Sequence, residues 1–71
     1  MAGTEKKNLA LKKARKERRL SQAALAELVG VNLQSIYKME AGIIKPSLAT
    51  GIKISEALGK TLDELFKESL N

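Results

Sequence analysis

The side chains with the most specific chemistry lie between Gln22 and Lys45. Gln34 and Lys38 are four residues apart, so on a helix they project from one face in successive turns. An amide presents a donor beside an acceptor, which suits adenine, and an ammonium presents donors alone, which suits the acceptors of guanine. The residues that are missing are equally informative. The chain has no Cys and no His, so disulfides, thiolate nucleophiles and Cys-based zinc sites are excluded, and the usual general base and commonest metal ligand are absent. No pair among its Asp, Glu, Lys, Ser and Tyr residues has a recognisable catalytic spacing. The expectation is a non-enzymatic chain with no metal, no cofactor and no small-molecule ligand.

Such a pair needs a rigid support, and 71 residues allow one small domain that buries roughly 60% of its unfolded surface. With 44% hydrophobic and 3% aromatic residues and no Trp, Leu, Ile and Ala must build the interior, a composition that favours helices. Net charge is +5, and residues 6–19 hold eight of the thirteen Lys/Arg against the single acid Glu17. Beyond Ile54 there are four acids and two lysines. This polarised, basic chain suits a polyanionic partner. No apolar run approaches the roughly 20 residues of a membrane span, nor is there a signal-peptide core; a soluble, cytoplasmic protein is expected.

Apolar spacing and capping residues predict five helices, at about 8–18, 22–29, 33–41, 48–58 and 62–68, after a flexible basic arm at 1–7. Asn8, Ser21, Asn32 and Ser47 are the expected N-caps. Thr61 and Glu64 match a capping box. Gly30, Gly42 and Gly59 are the expected stops, and Pro46 keeps the segment before it non-helical. The expected inner faces are Leu11, Ala14, Arg15 and Arg18; then Leu25, Leu28 and Val29; then Ile36, Met39 and Glu40; then Leu48, Ile52 and Ser55, with Ile54, Ala57 and Leu58 nearby. In the last helix Leu62, Leu65 and Phe66 supply the apolar residues. No β-pattern competes.

The order of residues from Gln22 to Ala41 is that of a helix-turn-helix: Leu25 and Val29 pack inward, Ala26 permits a close crossing, Gly30 turns the chain, and Val31, Ile36 and Met39 fix the second helix. The outward set is then Leu33, Gln34, Tyr37, Lys38 and Ala41. With LSQ at 20–22, ALAELVGV at 24–31, EAG at 40–42, KPSL at 45–48 and TLDELF at 61–66, residues 11–66 resemble the phage-repressor, Cro-like helix-turn-helix family. The resemblance implies an all-α, compact five-helix, lambda-repressor-like DNA-binding domain whose third helix lies in the major groove. It implies base reading by Leu33, Gln34 and Lys38, with Leu33 restricted to apolar contact such as a thymine methyl. Gln22, Asn32, Ser35 and Tyr37 stand where the family contacts phosphates; Lys45 adds charge there, and amides at the helix starts near Ser21 and Ser47 can donate to phosphate oxygens.

Arg15 and Glu40 both fall on inward stripes, and the family places a partly buried ion pair at these positions, so they are expected to be structural. Four departures stand out. Arg19 occupies a position commonly Gly, which implies a left-handed non-Gly residue or a differently shaped turn. Ala41 replaces a frequent polar residue, and Gly51 replaces a large apolar one and leaves space. Ile43 and Ile44 replace polar loop residues.

The expected function is a sequence-specific double-stranded DNA-binding transcriptional regulator, a repressor acting as a homodimer on a palindromic operator. With no separate oligomerisation domain expected, dimer contacts should come from the body itself, with Leu62, Leu65, Phe66 and Leu70 as candidates, Phe66 being equally suited to the core, then Ile43 and Ile44. The competing reading is a protein-interaction adaptor, antitoxin-like or coactivator-like, that uses the acidic, leucine-containing C-terminus.

Overall fold

The computed structural model describes residues 7–70, with side chains through residue 66. The arm at residues 1–6 and the side chain of Leu70 lie outside the described residues; Lys7 is exposed. Five helices follow one another: α1 (Leu9–Glu17), α2 (Gln22–Val29), α3 (Leu33–Glu40), α4 (Leu48–Leu58) and α5 (Leu62–Leu70). There is no strand among the described residues. α2 packs against α3 and α4, and α1 against α5 and α3.

Each helix begins on a side chain that accepts from an otherwise orphaned amide. Asn8 caps α1 through the amide of Leu11, Ser21 caps α2 through Ala24, Asn32 caps α3 through Ser35, and Ser47 caps α4 through Thr50. At α5 the capping box is reciprocal: Glu64 N–H donates to Thr61 Oγ1 at 3.0 Å, and Thr61 N–H donates to Glu64 Oε1 at 2.8 Å. Hydrogen bonding to its carboxyl from the Thr61 backbone and then from the Thr61 hydroxyl holds Glu64 below its ordinary pKa; desolvation opposes this, and the charge of Lys60 adds the least.

The first four helices end alike. After each, one residue turns left-handed and the next amide donates to the carbonyl five residues back, the Schellman pattern. The donors are Leu20 to Arg15, Val31 to Ala26, Ile43 to Lys38 and Lys60 to Ser55. Glycine fills the left-handed position three times, but after α1 it is Arg19, at φ 58°, the one non-glycine at positive φ among the described residues.

The core consists of Leu11, Ala14, Leu25, Ala26, Val29, Ile36, Met39, Ile54, Leu58, Leu65 and Phe66. Three apolar residues expected on inner faces do not join it: Leu28 is 63% exposed, Leu48 71% and Ile52 42%. The inner stripe of α4 is Gly51, Ile54 and Leu58, rotated away from Leu48 and Ile52 because α5 begins over Gly51. A Cβ added at Gly51 would stand 3.0 Å from Leu62 Cδ2, so Leu62 takes up the space that glycine vacates. What remains is an apolar cleft of about 70 Å³ lined by Pro46, Leu48, Leu62 and Phe66. Leu65 and Phe66 are 1% and 2% exposed, so both serve the chain's own core and are unavailable as dimer contacts. Arg18 is exposed rather than inward; its guanidinium lies over Gly59, at the end of α4.

Candidate nucleic-acid interface

α3 is held by both ends and one face. At its start, Asn32 Oδ1 accepts from the Ser35 amide at 2.8 Å and from the Ser35 hydroxyl at 3.0 Å. At its end, the Glu40 carbonyl accepts from the Asn8 amide at 2.9 Å, and Asn8 Nδ2 donates to the Leu65 carbonyl at 2.8 Å. Asn8 therefore joins α1, α3 and α5, a role beyond the capping its sequence position suggests. Ile36 and Met39 are buried beneath the helix.

The inward end of α3 is polar but fully bonded. Arg15 Nε and Nη2 donate to the two oxygens of Glu40 at 2.5 and 3.0 Å, and Arg15 Nη1 donates to the Leu20 carbonyl at 2.7 Å. Arg15 and Glu40 are each 6% exposed. Gln22 Nε2 adds a third donor to the carboxylate, reaching Glu40 Oε1 at 3.0 Å. No buried side-chain nitrogen or oxygen among the described residues lacks a partner. This satisfies the condition under which a buried pair persists: removing either partner strands the other charge. Gln22 thus has a structural engagement that its spacing does not reveal, and its second amide hydrogen remains for a ligand.

The opposite face carries the candidate readers. Gln34 and Lys38 are exposed one turn apart, flanked by Leu33 and Tyr37 at 47% and 56% exposure. Ala41 is half-buried and ends the helix instead of joining this face. Asn32 is exposed and Ser35 half-buried at the helix start. Ile43 and Ile44 are 51% and 39% exposed in the following loop, with Lys45 and Ser47 exposed beyond them. Ser47 Oγ accepts from the Thr50 amide at 3.2 Å and donates to Thr50 Oγ1 at 3.1 Å. The structure thus gathers Leu33, Gln34, Tyr37 and Lys38 on one helix surface, with Gln22 reaching its end from α2. Leu62 is half-buried beside Gly51, in the cleft that Lys45 and Ser47 also border.

Among the described residues, no group of His, Cys, Asp or Glu can hold a metal ion, and no helix is long and apolar enough to cross a membrane.

Residues 11–65 match the helix-turn-helix family model HTH_3. An uncharacterized HTH-type transcriptional regulator of Methanothermobacter thermautotrophicus is 40% identical over 57 residues, 79% of this chain and 83% of that protein. The SPbeta prophage-derived regulator YonR of Bacillus subtilis is 39% identical over 57 residues, 80% of this chain; the chain spans 53% of that relative's length. In three dimensions the chain is similar to the restriction-modification controller protein C.AhdI of Aeromonas hydrophila, with a TM-score of 0.75 and 32% identity, over 83% of this chain and 89% of that one. An HTH_3 family transcriptional regulator of Vibrio cholerae matches with a TM-score of 0.71 and 34% identity, over 86% of this chain and 34% of that one. With a helix crossing its partner after a left-handed glycine and a polar face left open, the chain belongs to the HTH_3 helix-turn-helix family of DNA-binding transcriptional regulators.

Proposed function

We propose that the chain is a sequence-specific repressor that binds a palindromic operator as a homodimer, with α3 in the major groove of each half-site. The observation that carries this reading is the open face of α3: Gln34 and Lys38 stand exposed on a helix whose other side is locked by Arg15, Gln22 and Glu40. Gln34 pairs with an adenine, Lys38 with a guanine, and Leu33 touches a thymine methyl. Gln22, Asn32, Ser35, Tyr37, Lys45 and Ser47 hold phosphates and fix the register. Similarity to a restriction-modification controller protein supports a regulatory role. The protein works where the DNA is, in the cytoplasm and on the nucleoid.

A dimer presents two reading helices about one turn of DNA apart, which converts modest half-site affinity into useful affinity. Of the dimer candidates, Ile43, Ile44 and the half-buried Leu62 have surface to offer; Leu70 stays a candidate from sequence.

Selection of bound sequences from a random duplex pool tests the reading. Wild type should enrich a palindrome, and Gln34→Ala and Lys38→Ala should each relax one base position per half-site. A failure to enrich any sequence at moderate salt would refute the proposal in favour of a protein-interaction adaptor. Ultracentrifugation of the free and DNA-bound protein checks the dimer.

A further inference from the structure

The turn after α1 places a long cation where the backbone calls for glycine. Arg19 sits at φ 58°, a left-handed conformation that strains any L-residue carrying a Cβ. The three equivalent turns, after α2, α3 and α4, carry glycine, so the turn itself gains nothing from an arginine. Nor does any side-chain hydrogen bond or ion pair among the described residues engage it. Among the described residues the ion pairs are Arg15–Glu40 and Glu17–Lys60, Arg18 lies over Gly59, and Arg19 is exposed.

Its location gives the charge a use. Arg19 is three residues before Gln22, a chain distance of at most about 10 Å, and Gln22 reaches the end of the reading helix through Glu40. From a turn this close in the chain, an extended arginine side chain has the length to reach the α2 edge of the surface assigned to DNA. A guanidinium is the side chain best shaped for bidentate contact with phosphate oxygens.

We infer that Arg19 is a phosphate-contacting residue of the DNA interface, held in a strained turn for its charge. This rests on the DNA-binding reading above. It extends the backbone contacts along the α1–α2 turn, and it makes affinity and stability pull in opposite directions at one position.

The test uses the whole chain and a labelled mixed-sequence DNA duplex of about three helical turns, long enough for both half-sites. Arg19→Gly should raise the melting temperature by about 2–8 °C, since relief of the left-handed strain outweighs the extra freedom of glycine when unfolded. The same variant should bind the duplex roughly 2- to 5-fold more weakly at low salt. Its plot of log affinity against log salt should flatten by about 0.9 for each protomer bound. Arg19→Lys, which keeps charge and strain, should retain the wild-type slope. Lys53→Gln removes the same unit of charge from the surface shared with Glu27 and Glu56, and it too should leave the slope unchanged. The inference is overturned if Arg19→Gly binds with wild-type slope and affinity, or if Lys53→Gln flattens the slope equally. Absence of salt-dependent binding by the wild type would remove the DNA reading itself, and this inference with it.

Discussion

Lys38 and Glu40 are two residues apart on α3 and live in opposite surroundings. Glu40 is buried and its carboxylate accepts from three donors on two residues, Arg15 and Gln22, whereas Lys38 stands exposed beside Gln34 on the outer face. One end of the helix spends all its bonding capacity within the chain; the other face keeps its capacity for something outside. Polar residues at similar spacing therefore say little about function until burial separates them. A charge that is enclosed and satisfied maintains the fold, and removing it should show in melting. A charge held out on a fixed rod contributes little to folding, and removing it should show only in recognition.

The sharpest way to break this contrast is at Glu40. Glu40→Ala strands a buried guanidinium and should cost about 3–5 kcal/mol, which in a domain this small brings the melting transition close to ambient temperature; thermal circular dichroism reads it. Replacing both partners, Arg15→Met with Glu40→Leu, should recover most of that loss, because no unpaired charge is left behind. A melt no better than the single variant would show that the network, with Gln22 and the Leu20 carbonyl, matters beyond the pair.

On the core side of the same argument, Ile54→Ala should cost about 2–5 kcal/mol in denaturant unfolding, while Ile52→Ala should stay within about 0.5 kcal/mol of wild type. Equal effects would contradict the rotation of α4 described above.

On the open face, Gln34→Ala and Lys38→Ala should each lose about 1–3 kcal/mol of discrimination at one base, with melting within about 0.5 kcal/mol of wild type. A large drop in melting for either variant would erase the distinction between the two faces.

The smallest expected effect lies at the capping box. Thr61→Ala should cost about 1 kcal/mol. The depressed Glu64 carboxyl gives the sign with pH: its stabilisation is complete above the ordinary carboxylate value and is lost as pH falls through the lowered one. Amide exchange in the first turn of α5 should accelerate across that acidic window in wild type and lose this pH dependence in Thr61→Ala.

Local chemistry was the most legible part of the sequence. Asn8, Ser21, Asn32, Ser47 and the Thr61–Glu64 box cap their helices as their types and positions imply, because capping needs only residues within one turn. At Arg19 the family resemblance implied either a left-handed non-glycine or a differently shaped turn, and the chain adopts the former. Which side of a stripe faces inward depends on partners distant in sequence, and there reading failed: Leu28, Leu48 and Ile52 look like core residues yet are exposed. Gly51 reads as an absence until Leu62 is seen filling it. In the candidate site, the outward placement of Gln34 and Lys38 follows from helix period alone. The reach of Gln22 to Glu40 spans eighteen positions and two helices, and no periodicity encodes it.

The repeated way the helices end has a kinetic consequence. Each of the first four is followed by a left-handed residue and a five-back hydrogen bond, so the connections between α1, α2 and α3 are a few residues long and carry almost no slack. A partner arriving at the outer surface of α3 meets a shape that was set during folding, and little ordering entropy is left to be lost at contact. The speed of capture is then governed by diffusion and long-range attraction, and the lifetime of the complex by how well the preset surface matches what it touches.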